Sequence, residues 1–123
     1  MTRYLVATAS AQTTEAACEY LSEKLEADDE VYVLTVDVPD ESDDREAALD
    51  VAQVELTGVA EVRTFRHEGV PGQEIVNFVR DNDIEEIIVG PARSGGISTI
   101  GETTRTVLNK VDKPVFVLPA RTP

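Results

Sequence analysis

The stretch EEIIVGPARSGGISTIGETTRTVL, residues 85–108, contains a short apolar strand, a glycine-rich loop and the start of a helix. The strand signal is EEIIVG (85–90), because parallel strands that are covered on both faces are nearly continuous in apolar residues. The helix signal is the spacing of Thr104, Val107 and Leu108. The stretch therefore predicts a strand followed by a helix, with the loop at the carboxyl end of the strand.

The same alternation extends along the whole chain. Strand patterns occupy residues 4–8, 31–36, 59–67, 85–90 and 113–119, and helical patterns occupy residues 13–27, 43–57, 68–83 and 101–111. Five strands that alternate with four helices predict an α/β fold, an open doubly wound five-stranded parallel sheet with helices on both faces. We expect one domain over residues 1–123, with its ligand site at the carboxyl ends of the strands.

Local signals set the expected ends of the helices. Thr13 or Thr14 is the expected N-cap of the first helix, which buries Ala17 and Leu21. Gly58 lies where a C-terminal cap of the second helix is expected. In the fourth helix, Thr104, Val107, Leu108 and Val111 form the predicted buried stripe.

The charge balance is strongly acidic. The chain has 24 acidic residues against 11 basic ones, a formal net charge of −13, and three lysines. An acidic surface that is poor in lysine is typical of proteins from salt-loaded cytoplasms. We therefore interpret the chain as a protein of a halophilic archaeon. Nucleic acid and membrane surfaces are not expected partners, since both require clustered Lys and Arg.

Neither targeting nor catalytic signals stand out in the sequence. No basic leader precedes an apolar segment, and no apolar run approaches the roughly 18 residues of a membrane span, so a cytoplasmic location is expected. The lone Cys18 lies in a helical pattern and is expected in the core. His67 has no second histidine or cysteine beside it, so neither a metal site nor a catalytic residue is predicted.

The glycine-rich loop allows two interpretations. Its backbone N–H groups could approach the oxygens of a phosphate, with the positive end of the following helix beside them. Alternatively, Gly90, Gly95, Gly96 and Gly101 only supply the positive φ angles of a strand-to-helix turn. The position of the loop after the fourth strand, at a carboxyl end of the sheet, favours the first interpretation.

Four segments resemble the universal stress protein family: YLVATASAQTTEAACEYL, VRTFRHEGVPGQEIVNFV, DIEEIIVGPARSGG and KPVFVLP. The most specific parts are the turn with Glu68, Gly69 and Pro71, the apolar strand that ends in Gly90, and the motif K-P-V-x-V at 113–117. The resemblance covers nearly the whole chain in order. It implies a sheet of order 3-2-1-4-5, homodimers joined through the last strand (114–118 here), and a role in surviving stress.

Some members of the family bind ATP through a G-x-x-G-x9-G-[ST] loop after the fourth strand, and this chain departs from that pattern. Arg93 replaces the second glycine, and Gly101 follows Gly90 by eleven positions where the pattern has thirteen. Glu102 replaces the final Ser or Thr, with Thr103 one position late. A carboxylate there would repel a phosphate. By the same resemblance, Ala9 replaces an acidic ligand after the first strand.

Three hypotheses follow from the resemblance and its departures. The first is a non-catalytic stress protein that acts as a homodimer through partner binding, with a degraded loop that holds a small anion and binds nucleotide weakly or not at all. The second is a regulatory switch that binds ATP or AMP through the Gly90–Thr103 loop. The third, a nucleotide-hydrolysing enzyme, has no nameable general base. The candidate ligand-binding residues are Thr8, Gly90, Arg93, Ser94, Gly95, Gly96, Gly101 and Thr103.

Overall fold

The computed structural model describes residues 1–37, 45–90 and 102–119. The strands are β1 (Arg3–Ala7), β2 (Glu30–Asp37), β3 (Glu61–Glu68), β4 (Glu86–Val89) and β5 (Val115–Val117). The helices are α1 (Ala11–Ser22), α2 (Arg45–Leu56), α3 (Pro71–Asp81) and α4 (Glu102–Lys110). The predicted alternation of strands and helices is confirmed.

The five strands form one parallel sheet of order β3-β2-β1-β4-β5. The α/β class that the sequence pattern predicts and the strand order that the family resemblance implies are therefore confirmed. The strands on either side of β1 are β2 and β4, and both are largely buried. Every residue of Val31–Val36 in β2 is buried, as are the last three residues of β4. Such continuous burial is expected of a strand that has helices on both faces.

Two layers of apolar side chains cover the two faces of the sheet. On one face α1 and α2 contribute buried residues that include Leu21 and Leu56. On the other face α3 and α4 contribute buried residues that include Ile75, Phe78 and Val107. The sheet is thus doubly wound, as predicted, and its core lies between the sheet and each helix pair.

Three local predictions can be compared with the structure. Gly58 has a φ of +85° two residues after α2, as expected of a helix C-terminal glycine. Cys18 is buried, and this burial raises the pKa of its thiol to about 11, so its use is core packing. Leu108 was expected in the buried stripe of α4, but it is 45% exposed, and Val107 alone of the two adjacent residues enters the core.

No helix of residues 1–37, 45–90 and 102–119 is long and apolar enough to cross a membrane.

Candidate functional site

The candidate site lies where β1 and β4 end beside each other. These strands are neighbours in the sheet, and Ala7 at the end of β1 is level with Val89 at the end of β4. From the end of β1 the chain turns into α1, which covers one face of the sheet, whereas α4 covers the other face. Ligands of open α/β sheets bind in the crevice at this point, where the strand order reverses.

Hydroxyl groups connect the end of β1 to the start of α1. The hydroxyl oxygens of Thr8 and Thr14 lie 3.0 Å apart, and both are buried. Each also reaches the carbonyl oxygen of Ser10, at 3.0 Å from Thr8 and 3.1 Å from Thr14. Buried hydroxyls need such partners. The three residues therefore fix the first turn of α1 against the end of β1.

Ser10, not Thr13 or Thr14, is the N-cap of α1. Its side chain oxygen accepts a hydrogen bond from the backbone N–H of Thr13 at 3.1 Å, and its hydroxyl donates to the Thr13 hydroxyl at 3.0 Å. The predicted caps were wrong because the helix begins directly after the turn from β1, at Ala11. Thr13 and Thr14 are then first-turn residues. The first turn of a helix presents N–H groups and a partial positive charge at its amino end.

Gly90 lies against this same turn. A Cβ atom built on Gly90 would stand 2.7 Å from Cγ2 of Thr13 and 3.2 Å from its hydroxyl oxygen. Any side chain at this position would therefore require the Thr13 side chain or the end of β4 to shift. The glycine allows the chain that leaves β4 to start at the amino end of α1.

The edge formed by these residues is uncharged. Residues 5–14, LVATASAQTT, contain no acidic or basic side chain, although the chain as a whole carries a net charge of −13. The acidic residue at the end of the neighbouring strand β2 is Asp37, which pairs with Arg66 at 3.0 Å and with Arg45 at 3.5 Å. The amino end of α1 places a partial positive charge at the end of β1, which favours an anion.

A further polar group lies on β2 near this edge and was missed by the sequence analysis. Thr35 is fully buried, and among the described residues its hydroxyl has no hydrogen-bond partner. It follows Leu34, whose carbonyl accepts the backbone N–H of Thr8 at 3.1 Å. The signal available in the sequence was a single threonine inside the apolar run VYVLTV.

The structure describes three of the eight predicted site residues. Thr8 and Gly90 both lie beside the first turn of α1, so the structure brings these two together. Thr103 is half-buried in the first turn of α4, next to the exposed Glu102 that begins this helix. The other predicted ligand-binding residues lie outside the described residues: Arg93, Ser94, Gly95, Gly96 and Gly101.

One group of carboxylates is close enough to suggest a metal site. Oxygen atoms of Glu26, Asp28 and Asp29 lie within 4.8 Å of one another in the loop before β2. However, both carboxylate oxygens of Asp29 already accept backbone N–H groups, from Thr2 at 2.8 Å and from Glu26 at 2.9 Å. These bonds hold the pKa of Asp29 below its usual value. The geometry is that of a loop-closing residue.

His67 is half-exposed and its Nδ1 lies 3.3 Å from a carboxylate oxygen of Glu74. Its ring also contacts Phe78, with centroids 5.8 Å apart. Histidine that is oriented by a single carboxylate and an aromatic ring is common at the surface, and we assign it a local structural role.

Comparison with known proteins places the chain in a family. The model of the universal stress protein family matches residues 1–119. No curated protein matches the sequence. The fold is also similar to those of solved structures, three of which hold a bound nucleotide.

The first is the universal stress protein from Archaeoglobus fulgidus in complex with dAMP, at 20% identity and a TM-score of 0.71, covering 96% of this chain and 98% of that chain. The second is a universal stress protein family protein from Arabidopsis thaliana with AMP bound, at 17% identity and a TM-score of 0.73, covering 99% and 94%. The third is a universal stress protein in complex with cAMP, at 17% identity and a TM-score of 0.73, covering 96% of each chain.

Proposed function

This chain belongs to the universal stress protein family, and from that premise we propose that it is a non-catalytic, homodimeric stress-response protein of the cytoplasm that binds an adenine nucleotide. The proposed ligand is a nucleoside monophosphate, held at the carboxyl edge between β1 and β4. The observation that carries this proposal is the uncharged, hydroxyl-lined edge at the amino end of α1, with Gly90 against Thr13.

The similar solved structures support a ligand with one phosphate. Their bound nucleotides are dAMP, AMP and cAMP, each of which has a single phosphorus atom. A single phosphate needs few N–H donors and little positive charge. The amino end of one helix supplies both.

Two residues of this chain argue against a triphosphate. Glu102 is exposed in the first turn of α4, where its carboxylate would repel additional phosphates near the loop. Ala9 offers no oxygen ligand after β1. The additional negative charge of ATP is therefore not compensated at this edge, and we expect ATP to bind more weakly than AMP.

Calorimetric titration with AMP, cAMP and ATP-Mg tests the proposal. We expect AMP to bind with a Kd near the micromolar range, roughly 8 kcal/mol, and ATP to bind at least about tenfold more weakly. Glu102→Ser should strengthen ATP binding and leave AMP binding nearly unchanged. Glu85→Gln is the matched control, because this exposed carboxylate precedes β4 at the opposite end of the strand. An unaltered protein that binds none of the three nucleotides contradicts the proposal.

Thr103 provides a second test at the same site. Thr103→Val removes the more accessible of the two threonine hydroxyls in the first turn of α4. We expect AMP binding to weaken by about tenfold, the value of one hydrogen bond to a charged group. Thr106→Val is the control. Thr106 is also half-buried on α4, but it packs against Gly72 of α3. Equal effects of the two variants would mean that α4 packing, rather than the ligand, responds to the change.

The absence of catalysis is part of the proposal. General acid–base chemistry needs a titratable group close to the reacting atoms, and residues 5–14 contain no carboxylate or histidine. We expect AMP and ATP to remain intact during prolonged incubation with the protein and Mg²⁺. Chromatographic detection of enzyme-dependent ADP or adenosine would contradict this part.

The proposed dimer joins two copies through β5. Val115–Val117 form an edge strand of three apolar residues, and Phe116 and Val117 are exposed. Unprotected edges of this kind pair readily with another strand, and a twofold axis would satisfy both copies. Val117→Asp should give a monomer by light scattering. Arg63→Gln on β3 changes the net charge by the same amount and should stay dimeric. A dimeric Val117→Asp protein would contradict this interface.

The acidic composition supports a proposed adaptation to salt. At a net charge of −13, repulsion between carboxylates is screened only at high ionic strength. We expect the melting temperature measured by circular dichroism to rise from dilute buffer to molar KCl. An unchanged melting temperature would contradict a halophilic origin.

A further inference from the structure

A second cleft lies at the opposite end of the sheet from the nucleotide edge. Its volume is about 370 Å³, and it lies where α3 ends, β4 begins and α4 turns toward β5. Val79 and Ile84, both buried, and the half-buried Val111 give it an apolar floor. The cleft has no part in the proposed nucleotide site.

The rim of this cleft carries equal numbers of positive and negative side chains. They are Arg80, Asp83, Glu85, Lys110, Asp112 and Lys113. All six are exposed. Within the described part of the chain, none of the six forms an ion pair with another charged group within 4.0 Å.

Basic side chains elsewhere in the protein behave differently. Arg3 pairs with Glu30 at 2.7 Å, and Lys24 pairs with Glu86 at 3.2 Å. Among residues 1–37, 45–90 and 102–119, only four basic side chains have no carboxylate within 4.0 Å, and three of them line this cleft; the fourth is Arg105. In a protein with this excess of acid, unpaired cations in one place require an explanation.

The ends of the helices explain part of the arrangement. Arg80 and Lys110 lie in the last turns of α3 and α4, where a cation is favoured by the helix dipole. Lys113 and the three carboxylates lie outside both helices. The dipoles therefore do not account for charges of both signs around one apolar floor.

The charge pattern selects the kind of ligand. Because the six charges sum to zero, the rim has no net attraction for a polyanion or for a simple amine. A molecule with one anionic and one cationic group can meet an opposite charge for each of them, because cations and carboxylates surround the same apolar floor. We propose that this cleft binds a small zwitterion of the α-amino-acid class, with its carboxylate toward Arg80, Lys110 and Lys113, its ammonium group toward Asp83, Glu85 and Asp112, and a short aliphatic side chain on Val79 and Ile84.

Three related compounds test this proposal in the intact protein. Valine has both charges, N-acetylvaline lacks the ammonium group, and valinamide lacks the carboxylate. In titrations followed by protein NMR, valine should shift the signals of residues that line the cleft. We expect a Kd near the millimolar range, because the six charges are exposed to solvent and their attraction is screened. Each of the two analogues should bind at least about fivefold more weakly.

Two substitutions and a matched control locate the effect. Lys113→Gln and Asp83→Asn should each weaken valine binding severalfold. Asn suits position 83 because Asp83 has a φ of +53°, which Asn tolerates. Arg105→Gln removes the unpaired cation that does not line the cleft and should leave valine binding unchanged. Circular dichroism spectra of the three variants verify that each remains folded.

The outcomes separate the proposal from simpler ones. Equal binding of valine and N-acetylvaline would mean a plain anion site, and equal binding of all three compounds would mean that only the apolar floor contributes. No signal shift with valine at about 10 mM, well above the expected Kd, would mean that the six charges only solvate the helix ends. Each of these results overturns the proposal.

Discussion

The two edge strands of the sheet, β3 and β5, are protected in opposite ways. β3 has eight residues that pair with β2 along their whole length, and half of its side chains are charged. Arg63 pairs with Glu61 at 2.8 Å, and Arg66 pairs with Asp37 at 3.0 Å. β5 has three residues, all apolar, and they pair only with β4.

The difference shows which edge is available for association. Charged side chains on an edge discourage pairing with another strand, and β3 carries them along its length. β5 is protected by its shortness alone, and two of its three side chains are more than a third exposed. The chain therefore combines one long, charged edge strand with one short, apolar edge strand.

The largest effect is expected for the residue that anchors β5. Leu118 is 3% exposed in the core beside α1, and its backbone N–H donates to the carbonyl of Val89 at 2.8 Å. Leu118→Ala should lower the free energy of unfolding by about 2–5 kcal/mol, measured by urea denaturation. Val62→Ala on β3 should cost less than about 2 kcal/mol, because this side chain is half-buried. Similar losses would mean that the two edges are anchored alike.

A smaller effect is expected for the aromatic contact beneath β5. Phe116 stacks on Tyr20 of α1, with ring centroids 4.0 Å apart and planes 9° apart. A double-mutant cycle with Phe116→Leu and Tyr20→Leu should give a coupling energy of about 0.5–1.5 kcal/mol. Unfolding should be measured on the monomeric Val117→Asp background, so that a dimer does not contribute. A coupling near zero would mean that the stack only fills space.

The charge pairs of β3 should contribute less, and unequally. Arg66 contacts both Asp37 and Glu46 and is partly shielded, so Arg66→Gln should cost about 1 kcal/mol. Arg63 is 55% exposed in its side chain, and Arg63→Gln should cost less than about 0.5 kcal/mol. Both losses should shrink in molar salt. A loss for Arg66→Gln that does not depend on salt would point to packing instead of charge.

The smallest effect concerns Lys24, which follows α1 and pairs with Glu86 of β4 at 3.2 Å. Its hydrogen bond to the Tyr20 hydroxyl, followed by that to Glu86, raises the pKa of Lys24 above 10.5. A raised folded-state pKa contributes stability that is fully present below pH 10.5 and is lost as the pH rises through the folded-state pKa. The contribution should stay under about 1 kcal/mol because the side chain is about a third exposed.

Denaturation from pH 7 to pH 11.5 measures this contribution. The stability difference between the unaltered protein and Lys24→Gln should narrow above pH 10.5. The control is Lys113→Gln, which removes a lysine without an ion pair in the described part of the chain and should show no such narrowing. A constant difference for Lys24→Gln would contradict the raised pKa.

The sequence predicts the sheet well because strand and helix periodicities alternate without interruption, and a parallel sheet with helices on both faces is the arrangement that such alternation allows. It predicts the ends of elements less well. Ser10, Thr13 and Thr14 can all cap a helix, and only the position of the turn after β1 selects Ser10. Leu108 fits a helical stripe, but the short β5 extends the sheet too little for both Val107 and Leu108 to be buried.

For the candidate site, the sequence predicts which strand ends to consider, but not every polar group that lies there. Strand order and glycine spacing direct attention to the ends of β1 and β4, where Thr8 and Gly90 do lie beside α1. The buried hydroxyl of Thr35 could not be predicted, since its lack of a partner among the described residues depends on the packing around β2. The cleft at the other end depends on three elements that are separated in sequence.

The close approach of Gly90 to Thr13 has a consequence for genetic screens of this protein. With 2.7 Å between Cγ2 of Thr13 and any added Cβ, every replacement at position 90 requires the Thr13 side chain or the chain at the end of β4 to move. A selection for cellular abundance will therefore score Gly90 as intolerant whether or not a ligand ever binds. Thr103 is half-buried at the start of α4 and is a candidate ligand-binding residue. Substitutions at position 103 that keep the protein abundant but fail to support growth under stress would therefore report a loss of binding and not a loss of folding.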